Sequence, residues 1–81
     1  MAQGRRKLPI RIEEDRLRAA IAEVREGKGI SQRELSTKLG LHPMTVGKIE
    51  RGERSVSVVE LLDISHALGV DPIGLIKRAM Q

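Results

Sequence analysis

Punctuation, more than composition, limits what this chain can become. Twice it places a serine three residues ahead of a glutamate before an apolar run: Ser31 with Glu34, and Ser57 with Glu60. In such a capping box the hydroxyl accepts from a free helix amide while the carboxylate reaches back to the cap's own N–H. The runs that follow stop at Gly40 and Gly69, residues suited to a left-handed C-terminal turn. A third start is written as Asp71–Pro72, a capping carboxylate ahead of a proline whose missing N–H costs nothing at a first helical position. Segments this short form helices only when tertiary packing holds them. No window alternates strictly enough for a strand.

Between these marks the apolar residues recur at helical spacing. A first helix is expected from about Glu13 to Glu26, with Glu13, Glu14 and Asp15 in its first turn and Leu17, Ala20, Ile21 and Val24 on one face. Leu35 and Leu39 face inward from the second. The third is expected to open at Pro43 and close at Gly52, with Leu41 packing on Val46 and with Val46 and Ile49 toward the core. Leu61, Leu62, Ile64, Ala67 and Leu68 form the apolar set of the fourth, and the fifth begins at Pro72. The expected architecture is an all-α, compact five-helix domain over residues 12–81, preceded by a flexible arm over residues 1–11.

The chain has 81 residues and no Cys, Phe, Trp or Tyr. One small aliphatic core is therefore all it can build, unaided by disulfides or thiolate metal sites. Base stacking on aromatic side chains is excluded, and with it the usual chemistry of single-strand and RRM-type RNA binding. No apolar run approaches a membrane span and no secretory h-region follows the basic start, so a cytoplasmic, nucleoid-associated protein is expected. His42 and His66 stand apart without ligand-spaced partners, and no phosphate loop or nucleophile motif is present; neither catalysis, metal nor cofactor is expected.

The formal charge of +4 resides in the arm. Without Arg5, Arg6, Lys7 and Arg11, the remaining 11 basic residues balance 11 acidic ones. Such an arm favours a polyanion, though a basic leader without a partner is also common.

The stretch Gln32–Arg51, QRELSTKLGLHPMTVGKIER, sets two short helices about a turn at Gly40. Leu35, Leu39, Leu41, Val46 and Ile49 can converge only if those helices cross steeply, with the small Ser36 where their backbones approach. Together with "GISQRELSTKLGL", "IERGER" and "LLDISHALGV", this segment resembles the helix-turn-helix of the phage-repressor (Cro/CI, XRE) family, over about Leu17 to Leu75. A generic helical hairpin is the plainer alternative.

The resemblance implies a double-stranded DNA ligand, with the third helix in the major groove. His42, Pro43, Met44, Gly47 and Lys48 are then the expected base-reading set: Lys48 donating to guanine, Met44 and Pro43 touching a thymine methyl. Gln32, Arg33, Thr45, Arg51, Arg54 and Ser55 are expected against phosphates, with Glu53 weakening the local field. Duller roles remain open for each: a solvated Lys48 or Arg33, a merely tolerated Gly47, and His42 as a poor N-cap. Arg25 and Glu50 match the family's internal salt bridge and are expected to be structural. Arg5, Arg6, Lys7 and Arg11 could follow the DNA backbone.

Leu75, Ile76 and Ala79 fit one stripe of the fifth helix, and Ile73 and Met80 broaden it beyond the needs of a small core, which suggests a homodimer with Val70, Ile73, Ile76 and Met80 near its axis; a monomer whose last helix closes the core is the alternative. The expected function is a transcriptional regulator, a repressor on a pseudo-palindromic operator. Within that class stand a restriction–modification controller and an antitoxin, with a toxin or RNA polymerase as a protein partner. A helical interaction module that does not bind DNA is the competing class.

Overall fold

The computed structural model describes residues 10–81, and among these five helices follow one another without a strand. They are α1 (Ile10–Gly27), α2 (Gln32–Lys38), α3 (Thr45–Glu50), α4 (Val58–Leu68) and α5 (Pro72–Ala79). None is long and apolar enough to cross a membrane. Arg5, Arg6 and Lys7 lie outside the described residues, whereas Arg11 falls within the span of α1.

The starts written in the sequence are the starts observed. Ser31 and Ser57 each accept from the amide three residues on, and Glu34 and Glu60 each accept from the serine's own N–H. Asp71 caps α5 by accepting from the Ile73 amide at 2.9 Å. Each such cap stabilises its helix by about 1 kcal/mol.

Two boundaries move. Helix α1 begins at Ile10, earlier than its acidic cluster suggests, and Asp15 pairs with Arg18 one turn on. Helix α3 begins at Thr45 and not at Pro43. Pro43 and Met44 form a turn in which the Thr45 amide donates to the His42 carbonyl at 2.9 Å. Nδ1 of His42 accepts from the Met44 amide at 3.1 Å, a side-chain bond that competes with helix for the backbone.

Ala20 and Ile21 of α1, Leu35 of α2, Val46 of α3, Leu61, Ile64 and Leu68 of α4 and Leu75 of α5 form one core cluster. Helix α1 packs on α3 and α5, while α2 packs on α3 and α4. Ile49 and Ala79 are also buried. Each fully buried Leu, Ile or Val is worth about 1.5–3 kcal/mol of transfer free energy, so this aliphatic set supplies most of the driving force for folding. Leu62 departs from expectation: it is half exposed, beside the more exposed Val58 and Val59 on the outer side of α4.

Candidate nucleic-acid interface

The six-residue α3 cannot persist alone, so its neighbours must position it. Its N-cap, Met44, makes no side-chain bond to a free amide. Ser36 of α2 does that instead. Fully buried, its Oγ accepts from the Val46 amide at 3.0 Å and donates to the Gln32 carbonyl at 2.9 Å. The small size anticipated at Ser36 is thus only half of its role; the hydroxyl joins the two helices across their closest approach.

The other end of α3 is fixed by charge. Arg25 donates to Glu50 through Nε at 2.7 Å and Nη2 at 3.0 Å, and its Nη1 donates to the Ile30 carbonyl at 2.8 Å. The Arg25 and Glu50 side chains are only 9% and 8% exposed, and the hydrogen bond to Glu50 raises the Arg25 pKa further above its ordinary value. Shielding from water strengthens the attraction within such a two-pronged pair, at a cost in lost hydration that its hydrogen bonds must offset. Gln32 completes the set, its Nε2 donating to Glu50 Oε1 at 2.7 Å. The Gln32 side-chain amide therefore faces the protein in this structure, and the Ser31–Glu34 box takes up the Glu34 amide at the α2 start.

With Val46 and Ile49 sealed against the core, α3 turns Met44 and Lys48 outward. His42 is exposed at the entry, and Pro43 and Thr45 are half-buried. Gly47 is not on that outer surface. It is buried, and a Cβ there would lie 3.0 Å from Arg51 Nη1 and 3.1 Å from Gln32 Oε1. The ends of these two side chains flank it on the outer side of α3.

Beyond α3 the chain closes with a two-bond turn: Gly52, at φ +79°, donates to the Ile49 carbonyl at 3.0 Å and Glu53 to the Lys48 carbonyl at 2.8 Å. Each arginine here has a carboxylate. Arg51 donates to Glu53 from Nε at 2.9 Å and Nη2 at 3.4 Å. Arg54 donates to Glu60 at 3.1 and 2.5 Å. The arginine bonds hold both glutamates below the usual carboxylate range, with the Ser57 amide adding to the effect at Glu60. Ser55 and Arg33 are exposed.

Arg18 joins this region unannounced by the sequence. From α1 it reaches over the loop, and with Glu14, Leu17, Gly52, Arg54, Ser55 and Val56 it lines a cleft of about 70 Å³. Any Cβ at Gly52 would lie 2.9 Å from Arg18 Cζ.

On α5, Leu75 and Ala79 are buried while Ile73 and Ile76 are 54% and 37% exposed; Val70 before the helix is half-buried and its C-cap Met80 is 74% exposed.

Two short helices packed about a glycine turn, the second braced at both ends and exposing one face beside a loop of arginines, define a helix-turn-helix protein. The comparisons agree. A family model described as helix-turn-helix matches residues 21–75. An uncharacterised HTH-type transcriptional regulator, y4dJ, from Sinorhizobium fredii is 33% identical over 55 residues, covering 68% of this chain and 71% of its own. The XRE-family like protein from Pseudomonas syringae pv. tomato superposes with a TM-score of 0.81 at 31% identity, over 88% of this chain and 87% of the other. The restriction-modification controller protein C.AhdI from Aeromonas hydrophila does so with 0.70 at 34% identity, over 83% and 98%. The chain belongs to the XRE-type helix-turn-helix family of DNA-binding transcriptional regulators.

Proposed function

We propose that the protein represses transcription by occupying a pseudo-palindromic operator as a homodimer, with α3 of each copy in the major groove. The observation that carries this is the division of α3 into a sealed face, Val46 and Ile49, and an open one, Met44 and Lys48, beside Arg51 and Arg54. Lys48 is the base-directed donor, with Met44 and Pro43 placed for a thymine methyl and His42 offering its outer ring edge. Thr45, Arg33, Arg51, Arg54 and Ser55 flank that row and meet the backbone; Gln32 acts chiefly by bracing Glu50. Arg5, Arg6, Lys7 and Arg11 add sequence-independent attraction.

Ile73, Ile76 and Met80 supply the apolar centre of the dimer contact, with Val70 at its edge. Two-fold symmetry then sets the reading helices about 34 Å apart, one turn of B-DNA. Similarity to C.AhdI supports a second reading within the same class, a controller of a neighbouring restriction–modification operon.

Selection of bound fragments from random duplex DNA at two salt concentrations tests the proposal. An enriched two-fold symmetric site, lost on Lys48→Ala, is the expected result. Salt-sensitive binding without enrichment would leave only an architectural role. Sedimentation at tens of micromolar reporting only a 9.0 kDa species would remove the dimer.

A further inference from the structure

A DNA-facing loop gains affinity from every unopposed cation and loses it with every carboxylate, because phosphate attraction dominates sequence-independent binding. The arginines of the loop after α3 are nevertheless each held by a glutamate, Glu53 in the loop and Glu60 in the first turn of α4, and the two are not alike. Glu60 has a structural duty: besides Arg54 it accepts from the Ser57 amide at 3.1 Å, closing the cap of α4. The Glu53 carboxylate has none. Among the described residues its only hydrogen-bond partner is the Arg51 guanidinium.

Its position is nonetheless fixed. The glycine turn at Gly52 ties the Glu53 amide to the Lys48 carbonyl, which delivers the carboxylate to the outer side of the α3 terminus. The arginine is seated to receive it. Gly47 has no side chain, so Arg51 lies down over α3 with Nη1 against the Gly47 backbone, leaving Nε and Nη2 to form the two-pronged grip on Glu53. A phosphate bound to that guanidinium would use the same two donors. Both side chains are about half exposed, at 50% and 53%, so solvent and ligand reach the pair freely.

We propose that Glu53 is an internal stand-in for a DNA phosphate, occupying Arg51 until a duplex displaces it and thereby lowering the protein's affinity for DNA of any sequence. The inference rests on the DNA-binding reading above. It also explains the glycine at position 47: a larger side chain would lift Arg51 off its seat and away from the carboxylate. The exchange of one anion for another at a half-exposed arginine is a modest effect, which suits a control on occupancy and not an on–off switch.

The test uses the full chain and a random-sequence 30-base-pair duplex as probe, with binding read by anisotropy across a salt series. Glu53→Gln should bind about fivefold tighter at equal salt and show a salt dependence about one unit steeper, as expected for one newly available phosphate contact. In an Arg51→Gln background the same change should give little or no gain, since the latch then has nothing to hold. Unchanged or weaker binding by Glu53→Gln would overturn the proposal. So would a full fivefold gain in the Arg51→Gln background, which would show simple repulsion of phosphates in place of occupancy of Arg51. Binding by Glu53→Gln where the parent chain shows none would support the latch. No binding by either would overturn the DNA-binding reading, and the latch with it.

Discussion

Two arginine–glutamate pairs meet at the end of α3 with the same two-pronged grip and very different access to water. Arg25 grips Glu50, and Arg51 grips Glu53, each through Nε and Nη2. The first pair is nearly excluded from solvent and the second is half open to it. In the buried pair neither ion can be released without leaving its partner stranded, so the pair fixes where α3 points. In the exposed pair either ion can turn to water or to another ligand at little cost, so the pair governs how much charge α3 displays. One chemistry gives a brace on the inside of the helix and an adjustable contact on the outside.

The contrast is broken most directly at Glu50. Glu50→Ala strands the Arg25 guanidinium and removes the acceptor of Gln32, and should cost about 3–5 kcal/mol in urea unfolding. That is a large share of the roughly 5–15 kcal/mol available to a domain. The double change Arg25→Met with Glu50→Leu removes both charges and should recover most of the loss. A Glu50→Ala cost no larger than that of a surface pair would show that burial does not distinguish the two. Next in size, Ser36→Ala leaves the buried Val46 amide without its acceptor and should cost about 1–3 kcal/mol in the same measurement.

Acid sharpens the comparison from the exposed side. Glu60 sits below its ordinary 4.5, chiefly through Arg54 and then the Ser57 amide. Glu34 does so through the Ser31 amide, and Glu53 through Arg51. A carboxylate with a depressed folded-state pKa adds stability that is complete above its unfolded value and is lost as pH falls through the folded one. Thermal melts should therefore hold a constant midpoint from pH 7 to about 5, then decline below about 4.5. Glu60→Gln should flatten part of that decline. The smallest effect is expected of Glu53→Gln: water screens its half-exposed pair with Arg51, so the urea midpoint should fall only slightly while DNA affinity changes.

What the sequence disclosed follows from the range of each interaction. Ser31 with Glu34, Ser57 with Glu60, and Asp71 with Pro72 act within three residues, so the starts of α2, α4 and α5 were readable directly. The start of α3 was not, because it turns on a lone pair of His42 in competition with a helical proline signal. Gly47 was expected on the reading surface, but Gln32 arrives from another helix and Arg51 folds back over it. The Arg25–Glu50 pair spans 25 positions and was legible only through family resemblance. No local pattern could have announced that Ser36 supplies the missing cap of α3, or that Arg18 crosses to Gly52.

The bond between Ser36 and the Val46 amide also bears on how the molecule opens. A helix that borrows its first hydrogen bond from a neighbour cannot fray by itself; α2 must depart with it. The Val46 amide should therefore exchange with solvent deuterium only through openings that dismantle both helices together, far more slowly than its short host helix would suggest. The surface proposed to meet DNA is thus tied to the joint opening of two helices, and its shape persists for as long as they stay paired.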